Sequence, residues 1–331
     1  MKPVRLHPEC LQCLVGKKMP AFFHNEPFEK QIEYMQRLLK MLSEAPATMA
    51  APVLVSDIAA LRKEMFGYEQ NFEAVKQQYN QLMLGREEEL FAKIEQAEDP
   101  LLAAVQYSLI GNYIDFGAQN TVEESKLDEL LSKAEETHVD EANYASFRKD
   151  VLSSRKTVFL TDNCGEVVLD KLLLRIMMQM NPSAEYTVIV RGKDVLNDAT
   201  MQDAEQIGLT KMFRVIGNGN GIAGTWLDAV SQEALAAIDE ADVIVAKGQA
   251  NFETLNQCRR NVYYLFLCKC DMFASRFNVP RFTGMLLRDQ DLCKDGSTQN
   301  PPAIRDRRVL CFTERGTCRC RAQVRPDRQP V

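Results

Sequence analysis

Asp162, Asn163 and Glu166 share the segment 157–171, which reads TVFLTDNCGEVVLDK. An aspartate beside an asparagine offers hard oxygen ligands, which suit Mg²⁺ or Mn²⁺. A glycine and an apolar helical pattern follow at once (Gly165, Val167, Val168, Leu172, Leu173), so a helix N-terminus there can present backbone N–H groups to an anion. A cation site beside an anion site is what phosphate chemistry needs. Taken alone, the Asp-Asn pair is equally an ordinary turn and N-cap signal. Further polar clusters shift the balance. Arg191-Gly-Lys193 leads into Asn197-Asp198-Ala-Thr200; Asn197 or Asp198 can cap the next helix, and Asp198 can equally reach a cation held by Asp162 and Asn163. Lys247-Gly-Gln-Ala-Asn251-Phe-Glu253 sets an ammonium before a new helix start, a plausible phosphate clamp. The glycine-rich run 217–224 can bring backbone close to a ligand or serve as a flexible turn. It does not fit the dinucleotide fingerprint, which argues against a NAD-dependent enzyme.

Each cluster follows a short apolar run. The runs 157–161, 186–190, 212–216, 242–246 and 262–267 read as strands, and helices fit between them near 167–180, 199–207, 226–240 and 251–258. Such alternation argues for βαβ units in a mainly parallel sheet. Right-handed crossovers bring the strand tips to one edge, where open α/β sheets bind ligands. Before residue 156 the pattern is helical, at 28–42, 58–66, 72–84, 87–94, 101–116, 127–134 and 144–152. The predicted fold is therefore α/β: a mainly parallel sheet with flanking helices, preceded by an all-helical N-terminal region. We expect a helical domain over 1–155, a metal- and phosphate-binding α/β domain over 156–288, and a disordered tail over 289–331. The tail carries eight arginines and four cysteines with no helix or strand period, and it looks appended to a finished domain. Within GNYIDFG (111–117), Asn112 and Asp115 are three apart and share a helix face; a solvated helix end explains them equally well.

The 331-residue chain is long enough for two domains. A net charge of −6 argues against a general nucleic-acid surface. No apolar run is long enough to cross a membrane, and MKPVRLHPEC lacks the apolar core of a signal peptide, so a cytoplasmic protein is expected. Ten cysteines then read as reduced thiols or metal ligands. Cys10, Cys13, Cys268 and Cys270 have spacings that admit a four-thiolate zinc site, although separate reduced thiols are the favoured reading. A zinc or redox protein centred on Cys10 and Cys13 is thus one rival reading. Its C-x-x-C lies far from any βαβ pattern, which weakens a thioredoxin-like version. A non-catalytic sugar-phosphate or nucleotide binding protein with the same sheet-edge pocket is another.

The four segments DNCGEVVLDKLL (162–173), NDAT (197–200), KGQANFETL (247–255) and the Lys269-Cys270 pair together resemble the damage-control phosphatase family, metal-dependent enzymes formerly catalogued as a domain of unknown function. Cys10-x-x-Cys13 with Lys269-Cys270 looks like its prokaryotic, cysteine-containing branch. The resemblance covers most of 1–288. It implies a divalent metal (Mg²⁺, Mn²⁺, Co²⁺ or Ni²⁺) on Asp162, Asn163 and Asp198. It places Lys247 and the turn bearing Glu166 around the phosphate, Asn112 and Asp115 toward the substrate, and Asn251 near the Lys247 loop. GNYIDFG is similar to a helical segment that lines the family's pocket. Ala250 stands where the family's usual GQGN has glycine, which puts the loop geometry in question if that position needs positive φ. The expected activity is hydrolysis of small phosphorylated metabolites, sugar phosphates or damaged phosphometabolites, with Asp162, Glu166 and Lys247 as catalytic residues. Glu166 or Asp115 would act as acid or base. An aspartyl-phosphate route through Asp162 ranks lower, because the second aspartate two residues on, usual in such enzymes, is Cys164 here.

Overall fold

The computed structural model describes residues 6–16, 21–114 and 124–293. Asp115 and residues 294–331, most of the expected tail, lie outside the described residues. Among the described residues eight α-helices come first: α1 (Pro8–Gly16), α2 (Phe28–Glu44), α3 (Ala51–Phe66), α4 (Glu73–Leu84), α5 (Glu87–Gln96), α6 (Pro100–Gly111), α7 (Glu124–Ser132) and α8 (Glu141–Ser153). Then strands and helices alternate: β1 (Lys156–Leu160), α9 (Glu166–Met180), β2 (Glu185–Val190), α10 (Met201–Gln206), β3 (Arg214–Gly217), α11 (Gln232–Glu240), β4 (Val243–Lys247), α12 (Gly248–Leu255), β5 (Val262–Leu267), α13 (Asp271–Phe277), β6 (Gly284–Arg288) and α14 (Asp289–Cys293). The sheet order is β3-β2-β1-β4-β5-β6, parallel except for β6. The α/β expectation holds.

Two details differ from the sequence reading. Strand β6 was not expected, because GMLLR is too short to show alternation, and its pairing with β5 is antiparallel. The ordered body also runs past 288. Asp289 is fully buried and accepts hydrogen bonds from Gln257 N (2.6 Å) and Tyr264 Oη (2.9 Å), which anchors α14.

One hydrophobic core joins residues of α4 to α8 to one face of the sheet and to α9, so packing crosses residue 155. α6 and α9 are buried almost all round, as expected of helices held between layers rather than on a surface. The other sheet face packs on α11 to α13, where Phe252 meets Tyr264, Phe266, Phe273 and Phe277 at ring distances of 5.1 to 5.7 Å. Phe252→Ala empties the middle of that cluster and is expected to cost about 3–5 kcal/mol, read as a lower urea midpoint at unchanged slope. A separate cluster from α1 to α3 includes Leu14, Tyr34, Leu38 and Leu61.

The chain order runs outward from β1 to β3, then returns to the other side of β1 with β4. That reversal leaves a crevice at the carboxyl ends of β1 and β4, the place where open α/β sheets take ligands.

Candidate active site

The register of the sheet sets the site. Leu160 pairs with Ile189 of β2 and with Ala246 of β4. Two residues further on, Asp162 lies between Arg191 on one side and Gly248 on the other. The approach of β4 is close: a Cβ on Gly248, whose φ is +78°, would meet Asp162 Oδ2 at 1.8 Å. Only glycine fits there. Ala250 lies inside α12 and is not among the positive-φ residues, so the alanine is accommodated without strain.

Asp162, Asn163 and Asp198 come together. Asn163 and Asp198 pair as an isolated antiparallel bridge, and Ala199 N donates to Asp162 O at 2.7 Å. Asn112, at the end of α6, is not a solvated helix end. It is fully buried, its Nδ2 reaches Asp162 Oδ2 (3.0 Å) and Glu166 Oε2 (2.9 Å), and its Oδ1 accepts from Leu267 N (3.0 Å). Asn163 Nδ2 donates to the same two carboxylates, at 3.0 and 2.9 Å. Asn251 also lies at the site, but its amide is spent on bracing. It donates to Thr161 O (3.1 Å) and Lys247 O (2.7 Å) and accepts from Thr225 Oγ1 (2.8 Å).

In the turn that leads into α9, Cys164 N donates to Asn197 O (2.8 Å) and Gly165 N to Asn80 Oδ1 (2.7 Å). Local sequence shows a helix start but not which distant acceptors reach it. Lys247 is fully buried with three acceptors around its ammonium: Ser108 O at 2.7 Å, Glu166 Oε1 at 3.0 Å and Asp170 Oδ1 at 3.4 Å. α12, which starts directly after it, has no side-chain cap.

Sequence reasoning missed Asp170, Ser108 and the role of Arg191. Asp170 lies four residues after Glu166, on the same helix face, which was the available signal. Its Oδ1 accepts from Ser108 Oγ at 2.7 Å. Arg191 is buried, with Nε on Asp198 Oδ2 at 2.6 Å and Nη2 at 3.8 Å from Asp162 Oδ1.

The electrostatics follow from burial. Desolvation, then Asp198 and Glu166, push the Asp162 carboxyl well above the carboxylate range. Burial works to lower Lys247, but Asp170 and Glu166 outweigh it and hold the ammonium charged. Burial raises Asp170 to about 7, against the pull of Lys247 and with Glu166 adding to the rise. The folded chain therefore holds a proton on Asp170 that the unfolded chain releases above about pH 4. Stability is lost as pH rises from there toward 7. Between pH 5 and pH 8 the wild-type chain is expected to lose about 1–3 kcal/mol that Asp170→Asn does not lose, compared by urea unfolding at the two pH values.

Cys10, Cys13, Cys268 and Cys270 are free thiols, and Cys10 is close enough to Cys270 and Cys13 for their charges to add to the rise that burial gives its pKa. Among the described residues no three His, Cys, Asp or Glu side chains gather as a metal site. Also among the described residues, no helix is long and apolar enough to cross a membrane. A cavity of about 700 Å³ opens between α3, α4 and residues 193–196; Asp162, Asn163, Asp198 and Lys247 do not line it.

Comparison with known proteins gives concordant matches. A family model described as the damage-control phosphatase ARMT1-like domain matches residues 6–283. A damage-control phosphatase of Archaeoglobus fulgidus is 31% identical over 285 residues, which is 83% of this chain and 96% of the relative. A damage-control phosphatase of Pyrococcus horikoshii is 32% identical over 192 residues, 56% of this chain and 64% of that protein. The crystal structure of a DUF89 family protein from Pyrococcus horikoshii superposes with a TM-score of 0.72 at 25% identity, covering 86% of this chain and 99% of the other.

Proposed function

The chain belongs to the damage-control phosphatase ARMT1-like family, and on that premise we propose that it is a metal-dependent hydrolase of small phosphate monoesters. The observation that carries the reading is a charge count at the sheet edge. Asp162, Glu166, Asp170 and Asp198 are four buried carboxyl groups, and Lys247 and Arg191 are the two buried cations among them. With all four ionised, these two cations and Lys269, whose charge also acts on Asp162, leave positive charge short by one, and an uncompensated buried charge costs several kcal/mol. The donor set is oxygen throughout, which fits Mg²⁺, Mn²⁺, Co²⁺ or Ni²⁺. Asp162, Asn163 and Asp198 would hold the ion, which when bound supplies electrophilic stabilisation of the phosphoryl oxygens.

The side chains around them have separable tasks. Asn112 and Asn163 orient Asp162 and Glu166 by donating to both. Glu166, with Lys247 on one oxygen, is the group we assign to proton transfer. Lys247 lends its charge to the site through Glu166 and Asp170 rather than by standing in solvent. Burial keeps water from screening these charges, which is how positioned groups act most strongly on a developing negative charge. The cavity against residues 193–196 has the size of a metabolite site, and we assign the non-reacting part of the substrate to it. A phosphorylated sugar or a damaged phosphometabolite suits that volume.

The test is hydrolysis of para-nitrophenyl phosphate by metal-stripped protein, then with Mg²⁺, Mn²⁺, Co²⁺ and Ni²⁺ added in turn. Turnover that appears only with metal supports the reading. A folded chain that turns over nothing with any of the four ions is instead a sugar-phosphate or nucleotide binding protein.

A further inference from the structure

The two buried cations of the site are not equivalent. Lys247 has an acceptor for each of its three ammonium hydrogens. Arg191 does not. Its Nε donates to Asp198 Oδ2 at 2.6 Å and its Nη2 to Thr161 O at 3.2 Å, but its Nη1 is buried with no hydrogen-bond partner. A guanidinium keeps its charge and its five donors whatever surrounds it, and a buried donor without an acceptor is costly.

Two neighbouring donors are in the same condition. Asn197 Nδ2, directly before Asp198, and Asn218 Nδ2, directly after β3, are also buried without a partner. The orientation of Asn218 is set, because its Oδ1 accepts from Gly192 N (2.8 Å) and Asn220 N (3.1 Å); exchanging oxygen for nitrogen would lose both bonds. Among the described residues five buried side-chain polar atoms lack a partner. Three of the five are nitrogens in the loops that leave β2 and β3, so the shortage there is specifically of acceptors. Buried polar groups in folded proteins nearly always find partners, and an oxygen-rich occupant would supply what these three lack.

We propose that Arg191 is a phosphate-binding cation of this enzyme, its Nη1 receiving a phosphoryl oxygen while its Nε edge holds Asp198. The assignment rests on the phosphatase reading above and moves the clamp from Lys247 to the other side of Asp162. A planar fork suits this double task better than an ammonium does. It can grip a carboxylate with one edge and an oxyanion with another nitrogen, so the phosphate is positioned relative to Asp198 and, 3.8 Å away, to Asp162. Lys247 keeps the charge of Glu166 and Asp170 in balance and touches no substrate.

Arg191→Lys in the full chain tests this, because lysine keeps the charge and loses the fork. Isothermal titration with inorganic phosphate, at saturating Mn²⁺, is expected to show phosphate binding weakened at least ~10-fold, with Mn²⁺ affinity within about threefold of wild type. Unchanged phosphate affinity overturns the assignment. So does a parallel loss of Mn²⁺ and phosphate binding, which would mean that Arg191 only holds Asp198. A wild-type chain that binds no phosphate and hydrolyses no ester with any metal counts against the phosphatase reading itself. Should the variant not fold, a crystal structure of the wild-type chain with Mn²⁺ and inorganic phosphate decides. A phosphate oxygen within ~3.3 Å of Nη1 supports the proposal. A water molecule in that place, with phosphate elsewhere, overturns it.

Discussion

Asp162→Asn is expected to reduce metal-dependent ester hydrolysis by at least ~10³-fold while leaving the metal-free chain as stable as wild type or more so. The two halves of this expectation have one cause. Asp162 is buried beside Asp198 and Glu166, whose negative charges raise its pKa. Without a metal that crowding opposes folding at neutral pH, because the native carboxyl is harder to ionise than the unfolded one. An amide of the same size removes the repulsion. Its Oδ1 still accepts from either Asn112 or Asn163, the two donors that now share Asp162 Oδ2 at 3.0 Å. It is a poor ligand for a hard divalent ion, however, and it removes one of the two carboxylates placed to hold one. Steady-state rates at saturating Mn²⁺, with melting curves of the metal-stripped proteins, measure both. Activity within ten-fold of wild type would remove Asp162 from the mechanism. A large fall in melting temperature would instead make it a structural residue.

Gly248→Ala should damage both stability and activity. The added methyl meets Asp162 Oδ2 at 1.8 Å and Cγ at 2.2 Å, and φ at this position is +78°. The backbone conformation alone costs an L-residue about 1–2 kcal/mol. The overlap then has to move Asp162 or pull β4 from β1. We expect a total loss of about 2–4 kcal/mol in stability and at least ~10²-fold in turnover, since misplacement of a reacting group by ~1 Å has that effect. Ala250→Gly is the control. It puts glycine at a position inside α12, so it should cost only about 1 kcal/mol of helix propensity and leave turnover unchanged. If Gly248→Ala is as active as wild type, the close approach of β4 to Asp162 is not needed for function.

The strand-tip clusters were legible because they are local. Asp162-Asn163, Asn197-Asp198 and Lys247-Gly248 each follow a short apolar run, and the strand period with its turn residues announces them. The order of strands and helices from 156 onward was legible for the same reason. β6 was not, because five residues with no alternation carry no period. Asp170 was hidden by a helix pattern in which a polar residue ordinarily means a solvated face; α9 is buried there, and Ser108 and Lys247 meet Asp170 instead. Asn112 was recognised through family likeness rather than through its spacing, because its partners Asp162 and Leu267 are 50 and 155 residues away.

The sequence by itself determined which side chains stand at the ends of the strands and which of them can bind a cation or an anion. Helix and strand periodicity, and turn chemistry, act over a few residues and are written in a single chain. Only the tertiary structure decided that β4 returns beside β1 rather than beyond β3. It thereby set Gly248 against Asp162, gave the Lys247 ammonium to Glu166, Asp170 and Ser108, and left Arg191 with a donor to spare. Sheet order and the pairing of buried charges depend on packing between distant segments, and no local period carries that information.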